Sequence, residues 1–163
     1  MSKIVHLQKR LSDRPIVEIM PDVTIRPFNS PGDVDAWLRL RDAAMAGLIA
    51  RGRPWTNDDF RREFAASRLW VAEPVSRERQ RPEEELIGAV ALGRAGIAPH
   101  ERASLQWLMV APAHRRRGVG KALITTVEQA AWDAGDRRLS LETHLDWRDA
   151  IRLYERCGYS PVR

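Results

Sequence analysis

Cysteine is nearly absent from this sequence of 163 residues: Cys157 is the single one, so an internal disulfide framework is excluded. Long apolar runs are also missing. The longest, at residues 86–92, is far shorter than the roughly 20 residues that a membrane-spanning helix needs. The N-terminus, MSKIVHLQKRLSDRP, lacks the apolar stretch of a secretory signal. These absences predict a protein of the reducing cytoplasm with no membrane partner.

Metal-ligand spacing is missing too, since the four histidines form no recognisable ligand set, and no metal is predicted. The net charge of +5, from 27 basic and 22 acidic residues, would attract nucleic acid, anionic lipid or a phosphorylated small molecule. The basic residues are scattered, with dense points at residues 77–81 and 115–117. Neither point lies in a long basic helix with interleaved aromatic residues, which disfavours a nucleic-acid partner.

Hydrophobic periodicity predicts a single domain at residues 23–163, preceded by an N-terminal extension at residues 1–22. The predicted strands are residues 23–28, 69–75, 86–92, 103–110 and 138–143. The predicted helices are residues 34–50, 57–66 (capped by Thr56 or Asn57), 118–134 and a last one that starts at Asp146 or Asp149. Residues 76–84 are an expected exposed loop. Strands flanked by helices indicate an α/β fold with a mixed sheet covered on both faces.

The most informative segment is residues 105–123, LQWLMVAPAHRRRGVGKAL. A buried strand ends at Val110, three arginines follow, and two glycines stand at the start of the best predicted helix. Glycines let the backbone approach a ligand closely, and the first-turn amides of a helix attract anions. The segment therefore predicts a phosphate-binding turn.

Two familiar phosphate loops do not fit this segment. A P-loop needs a glycine and a hydroxyl residue where this chain has Arg115 and Ala122. A dinucleotide fingerprint needs a third glycine where this chain has Leu123.

The pattern Arg115-x-x-Gly118-x-Gly120 after a Val-x-Pro strand end instead resembles the pyrophosphate loop of the GNAT superfamily of acyl-CoA-dependent N-acetyltransferases. A second block, Leu141-Glu142-Thr143 followed by AIRLYERCGY at residues 150–159, is similar to that family's strand and helix after the loop. The resemblance implies a mostly antiparallel sheet with splayed central strands. It also implies acetyl-CoA as co-substrate and an N-acetylated product.

The resemblance also implies roles for particular residues. Tyr154 would be the general acid that protonates the leaving thiolate, and the Leu108 amide would be the oxyanion donor. The implied cofactor-binding residues are Leu108, Met109, Val110, Arg115, Arg116, Arg117, Gly118, Val119, Gly120, Lys121 and Tyr154. Glu142 is a candidate general base, with His144, Asp146 and Glu101 as rivals. Arg53 and Trp55 are candidate acceptor-binding residues, although Trp55 would equally serve as a core anchor.

The sequence departs from the family pattern at two places. Trp147 stands where the family often has an asparagine that contacts CoA. The chain also ends about five residues after Gly158, where the family normally has further strands. Residues 16–20 or 4–7 are therefore expected to add a strand near residues 159–162, within the chain or from a second subunit, because an open sheet edge is a liability.

These features leave three functions open. The first is an acetyl-CoA-dependent N-acetyltransferase acting on a small-molecule or peptide amine, with a homodimer as an option. The second is a CoA-binding sensor or interaction module with little turnover. The third is a basic nucleic-acid-binding domain. Thermal shift with acetyl-CoA and thiol release with an amine panel would separate them.

Overall fold

The computed structural model describes residues 3–29, 31–47, 53–75, 85–97 and 100–163. The strands are β1 (Ile4–Arg10), β2 (Val23–Pro27), β3 (Arg68–Pro74), β4 (Gly88–Ala95), β5 (Arg102–Val110), β6 (Arg138–His144) and β7 (Ser160–Pro161). The helices are α1 (Val34–Ala44), α2 (Asn57–Glu63), α3 (Val119–Asp133) and α4 (Arg148–Arg156). A 3-10 turn covers Pro112–His114.

The strands form one mixed sheet in the order β2-β3-β4-β5-β6-β1-β7. Neighbouring strands are antiparallel except β5 and β6, which are parallel. One face packs against α3 and α4, through Leu105, Leu123 and Leu141 among others. The other face packs against α1 and α2, through Trp37, Phe60 and Met109 among others. The sheet is therefore covered on both faces, and the predicted fold class is confirmed.

The N-terminal strand β1 lies between β6 and β7. It pairs with β6 along its full length, from Ile4 opposite His144 to Arg10 opposite Arg138, and its other edge pairs Leu7 with Pro161. Lys9 reaches across to the buried Glu128 of α3 at 3.0 Å, which satisfies a carboxylate that would be costly to bury alone. Of the two segments expected to add a strand, residues 4–7 do so within the chain and residues 16–20 do not.

Several predicted boundaries change. Helix α1 ends at Ala44, well before residue 50, and residues 48–50 lie outside the described part. Helix α4 begins at Arg148 with Trp147 at its N-cap, so neither Asp146 nor Asp149 caps it. Thr56 does cap α2, through a reciprocal pair of hydrogen bonds with Asp59. The predicted loop at residues 76–84 lies outside the described residues.

Candidate functional site

The two central strands, β5 and β6, pair over little of their length, and the stretch that they leave unpaired is called the groove. In the described residues, β5 and β6 pair at one position only, Ser104 with Ser140. Beyond that pair the strands separate, so the end of β5 toward Val110 and the end of β6 toward His144 leave main-chain groups unpaired with each other. Unpaired strand edges are places where a ligand adds its own hydrogen bonds.

Strand β5 contains an irregularity at the level of the groove. Ala91 pairs with Gln106 and Ala89 with Met109, so Trp107 and Leu108 together lie opposite Val90. Trp107 has a φ of 52°, a left-handed conformation that costs a non-glycine residue free energy. Because of this bulge, Leu108 leaves the regular ladder while Met109 faces α1 and α2.

The first turn of α3 closes one end of the groove. Gly118 is its N-cap with a φ of 89°, and the first helical hydrogen bond runs from the Ala122 amide to the Gly118 carbonyl at 3.0 Å. The amides of residues 119–121, in the first turn, have no main-chain partner among the described residues. Unpaired N–H groups at the positive end of a 15-residue helix favour the binding of an anion.

Gly120 is needed because neighbouring elements approach it closely. A Cβ at this position would lie 3.0 Å from Leu153 Cδ2 of α4 and 3.7 Å from Val110 Cγ2 of β5. The helix start therefore packs directly against the end of the bulged strand. This contact brings the first-turn amides next to Val110.

The three arginines before the helix have different surroundings. The Arg115 side chain donates to the Val110 carbonyl at 3.1 Å and to the Ala44 carbonyl at 3.0 Å, and its amide donates to the Pro112 carbonyl at 3.4 Å. Arg115 thus ties the strand end to α1. Arg116 and Arg117 are exposed and make no ion pair with any described residue. Their charge, with that of Lys121, is available to an anion at the helix start.

Tyr154 is buried on α4, 7% exposed, with its ring centroid 6.0 Å from that of Tyr159. Burial raises the pKa of the Tyr154 phenol well above its ordinary value of 10.0, so the group keeps its proton at every physiological pH. Burial likewise raises the pKa of the half-buried Cys157 thiol. A thiol held neutral in this way is a poor nucleophile.

Glu142 lies on the opposite face of β6 from Leu139 and Leu141, which point toward α3. Its face is therefore the one that carries α1 and α2. The carboxylate is 62% exposed and lies 3.4 Å from His6 Nδ1 of β1. His144, one of its rivals as general base, packs against Trp147 with the two rings tilted and their centroids 4.4 Å apart.

The two predicted acceptor residues are not equivalent. Arg53 makes a two-point ion pair with Asp59, at 2.6 and 2.7 Å, which supports the N-terminus of α2. Trp55 belongs to an aromatic cluster with Trp37 and Trp107, with ring centroids 5.0 to 6.0 Å apart. Trp107 itself is half-buried, and its indole N–H donates to the Glu63 carboxylate at 3.0 Å.

Sequence reasoning missed Arg41, Glu63 and His6 beside this site. Arg41 had a signal: it stands on the same helical stripe as Val34, Trp37 and Ala44, where an apolar residue is expected. The other two had none, because they are brought near the site by pairing between distant segments.

Metal and membrane features are not found in the part of the chain that the structure describes. No cluster of three or more histidine, cysteine or acidic residues is positioned to hold a metal ion there. No helix in the same residues has the length and apolar character to cross a bilayer.

The profile of the acetyltransferase (GNAT) family matches residues 35–159, which is most of the chain. The chain belongs to the GNAT acetyltransferase family. Among curated relatives, a mycothiol acetyltransferase from Thermomonospora curvata is 29% identical over 164 residues, covering 96% of this chain and 51% of the relative. Human N-acetyltransferase 8 is 30% identical over 127 residues, covering 66% of this chain and 50% of the relative.

Solved GNAT structures have the same fold. A GCN5-related N-acetyltransferase from Sphaerobacter thermophilus superimposes with a TM-score of 0.74 at 20% identity, covering 99% of this chain and 49% of the other. This chain spans about half the length of these relatives. The similarity establishes the family and the fold.

Proposed function

We propose that this GNAT domain transfers an acetyl group from acetyl-CoA to a primary amine. The observation that carries the proposal is the unpaired stretch between β5 and β6, with the first-turn amides of α3 beside its Val110 end. A long ligand with a diphosphate at one end and hydrogen-bonding amides along its length suits this arrangement. CoA has this form.

The residues present fit such a ligand. Main-chain amides at residues 116–121 would hold the diphosphate, with charge from Arg116, Arg117 and Lys121. Because β5 and β6 separate there, the edge at residues 108–110 would pair with the pantetheine amides. Arg115 would hold the end of β5 in place and not contact the diphosphate with its side chain, since its guanidinium already donates to two carbonyls.

The chemistry follows from three groups. The amine nitrogen forms a bond to the thioester carbonyl carbon, and the Leu108 amide would donate to the carbonyl oxygen as negative charge builds on it. The carbon–sulfur bond then breaks, and Tyr154, which stays protonated, would donate a proton to the thiolate. Glu142, on the same side of the sheet as Trp107, would take the proton from the amine.

The names of the relatives, a mycothiol acetyltransferase and an N-acetyltransferase, support acetyl transfer as the reaction class. The acceptor, a cytoplasmic location and a homodimer are expectations from the sequence. The activity of any longer protein that contains this domain is part of the same proposal.

The test uses two measurements on the full chain. Acetyl-CoA at about 100 Kd should stabilise the protein by about 2.7 kcal/mol in a thermal unfolding experiment. Thiol release should then appear when primary amines are added. A thermal shift without thiol release for any amine would support a CoA-binding module with little turnover. No thermal shift would contradict both.

A further inference from the structure

Arg41 is an unusual residue for its position on α1. Its side chain is only 13% exposed, and it stands on the helix face that carries the buried Trp37 and Ala44. Its guanidinium carbon lies 4.3 Å from the Trp55 ring centroid and 5.8 Å from that of Trp107. A permanent positive charge is therefore held among aromatic rings.

The hydrogen-bonding capacity of this guanidinium is largely unused. Arg41 Nε is fully buried and has no hydrogen-bond partner among the described residues. In the same part of the chain, its one contact with a carboxylate is the long approach of Nη1 to Asp42 at 3.5 Å, and Asp42 is 67% exposed. Among the described residues Arg41 makes no two-point ion pair of the kind that Arg26 makes with Asp33 at 2.7 and 2.9 Å.

Burying a cation in this way is costly unless an anion joins it. The rings of Trp55 and Trp107 offset part of the cost through cation–π attraction. They cannot satisfy the in-plane N–H groups, which need oxygen acceptors. The Glu63 carboxylate, which contacts the same aromatic cluster, already accepts a hydrogen bond from the Trp107 indole.

We infer that Arg41 binds a carboxylate carried by the amine acceptor, so the substrate class is an amino acid or another amine with a nearby carboxylate. This inference rests on the proposed function. Trp107, which contacts Arg41, directly precedes Leu108, whose amide would meet the thioester oxygen. An acceptor anchored on Arg41 would therefore present its amine beside the reacting carbon. The guanidinium fork binds a planar carboxylate at two points, which would satisfy in-plane N–H groups that the rings leave unpaired.

The experiment compares matched acceptors in thiol-release assays: amino acids with free carboxylates, and the same compounds as neutral carboxamides. For the wild type, kcat/KM should be about 10- to 100-fold higher for the carboxylate of each pair. Arg41→Gln should remove that preference, with most of the loss in the carboxylate series. Arg41→Lys keeps the charge without the fork and should retain part of the preference.

Arg39→Gln is the matched control, because Arg39 lies exposed on the same helix. It should leave the preference intact. The thermal shift caused by acetyl-CoA should be unchanged in all three variants, which shows that the cofactor site is folded. Equal activity on carboxylates and carboxamides in the wild type, or equal losses on both in Arg41→Gln, would overturn the inference.

If no amine is turned over, the proposed enzymatic function fails, and the subsite is tested separately by binding. Calorimetry with N-acetyl amino acids and their carboxamides, in the presence of CoA, should then show Arg41-dependent preference for the carboxylate. Absence of that preference would refute the subsite on its own.

Discussion

Gly118 offers the sharpest test of the cofactor site. Its φ of 89° is left-handed, and a Cβ there would meet one atom within 4 Å, Met20 Cε at 3.9 Å, which is ordinary contact. Gly118→Ala therefore introduces backbone strain without a clash, and the strain should cost about 1–2 kcal/mol of stability. Gly135, past the other end of α3, has a φ of 95° and no atom within 4 Å. Gly135→Ala should cost about the same.

The two variants should differ in CoA binding. Relief of strain at residue 118 would turn the amides of residues 116–121 away from a common point, whereas relief at residue 135 would not. Losing one charge-assisted hydrogen bond, worth about 1.5–3 kcal/mol, raises Kd by roughly 10- to 100-fold. Gly118→Ala should show this loss and Gly135→Ala should keep the wild-type Kd.

Thermal unfolding without ligand and calorimetry with acetyl-CoA give the two numbers. Each variant should lower Tm by about 2–8 °C, as 1–2 kcal/mol does in a domain of this size. The reasoning is refuted if Gly118→Ala loses stability as Gly135→Ala does but binds acetyl-CoA with the wild-type Kd. Equal loss of affinity in both would also refute it, because the effect would then come from α3 as a whole.

Four further predictions concern other residues. Tyr154→Phe should lower kcat by about 100-fold or more, while Tyr159→Phe, another buried tyrosine, should leave kcat near wild type in thiol-release assays. Because burial raises the pKa of both phenols above 10.0, the folded state holds protons that the unfolded state releases, so stability should fall as pH rises above about 10. In alkaline denaturation, Tyr159→Phe should reduce the dependence of unfolding free energy on pH by up to about 1.4 kcal/mol per pH unit. An unchanged dependence would show that the pKa of Tyr159 is not raised by folding. Arg115→Ala should lower Tm, because two carbonyls lose their hydrogen-bond donor. Arg116→Ala should leave Tm unchanged but weaken acetyl-CoA binding and reduce the salt dependence of that binding. The reverse pattern would show that the two roles are exchanged. The Arg53 side chain and the Thr56 amide hold the pKa of Asp59 far below its usual range. The stability that the Asp59 carboxylate contributes is therefore present at neutral pH and lost as pH falls below about 4. Asp59→Asn should flatten the acid side of the curve of stability against pH, and an unchanged acid side would argue that Asp59 does not stabilise the start of α2.

Local pattern was enough to predict much of the site. Glycines at positions 118 and 120 before an amphipathic stripe predicted the helix start and its free amides, because helix ends depend on neighbouring residues in the chain. The Thr56 cap was predictable for the same reason. Helix ends set by distant contacts were not predictable: α1 stops at Ala44, whose carbonyl is bound by Arg115 from 71 positions along the chain.

The sequence by itself determined that a mixed sheet is covered by helices, and it predicted a phosphate-binding turn after the central strand. Periodicity and glycine placement are local properties, and they specify elements one at a time. Only the tertiary structure decided that β1 enters between β6 and β7, and that Arg41 lies against Trp55 and Trp107. Those arrangements arise from strand pairing and side-chain packing between segments that are distant in the chain. Their free energy depends on both partners, so it cannot be inferred from the pattern of one segment.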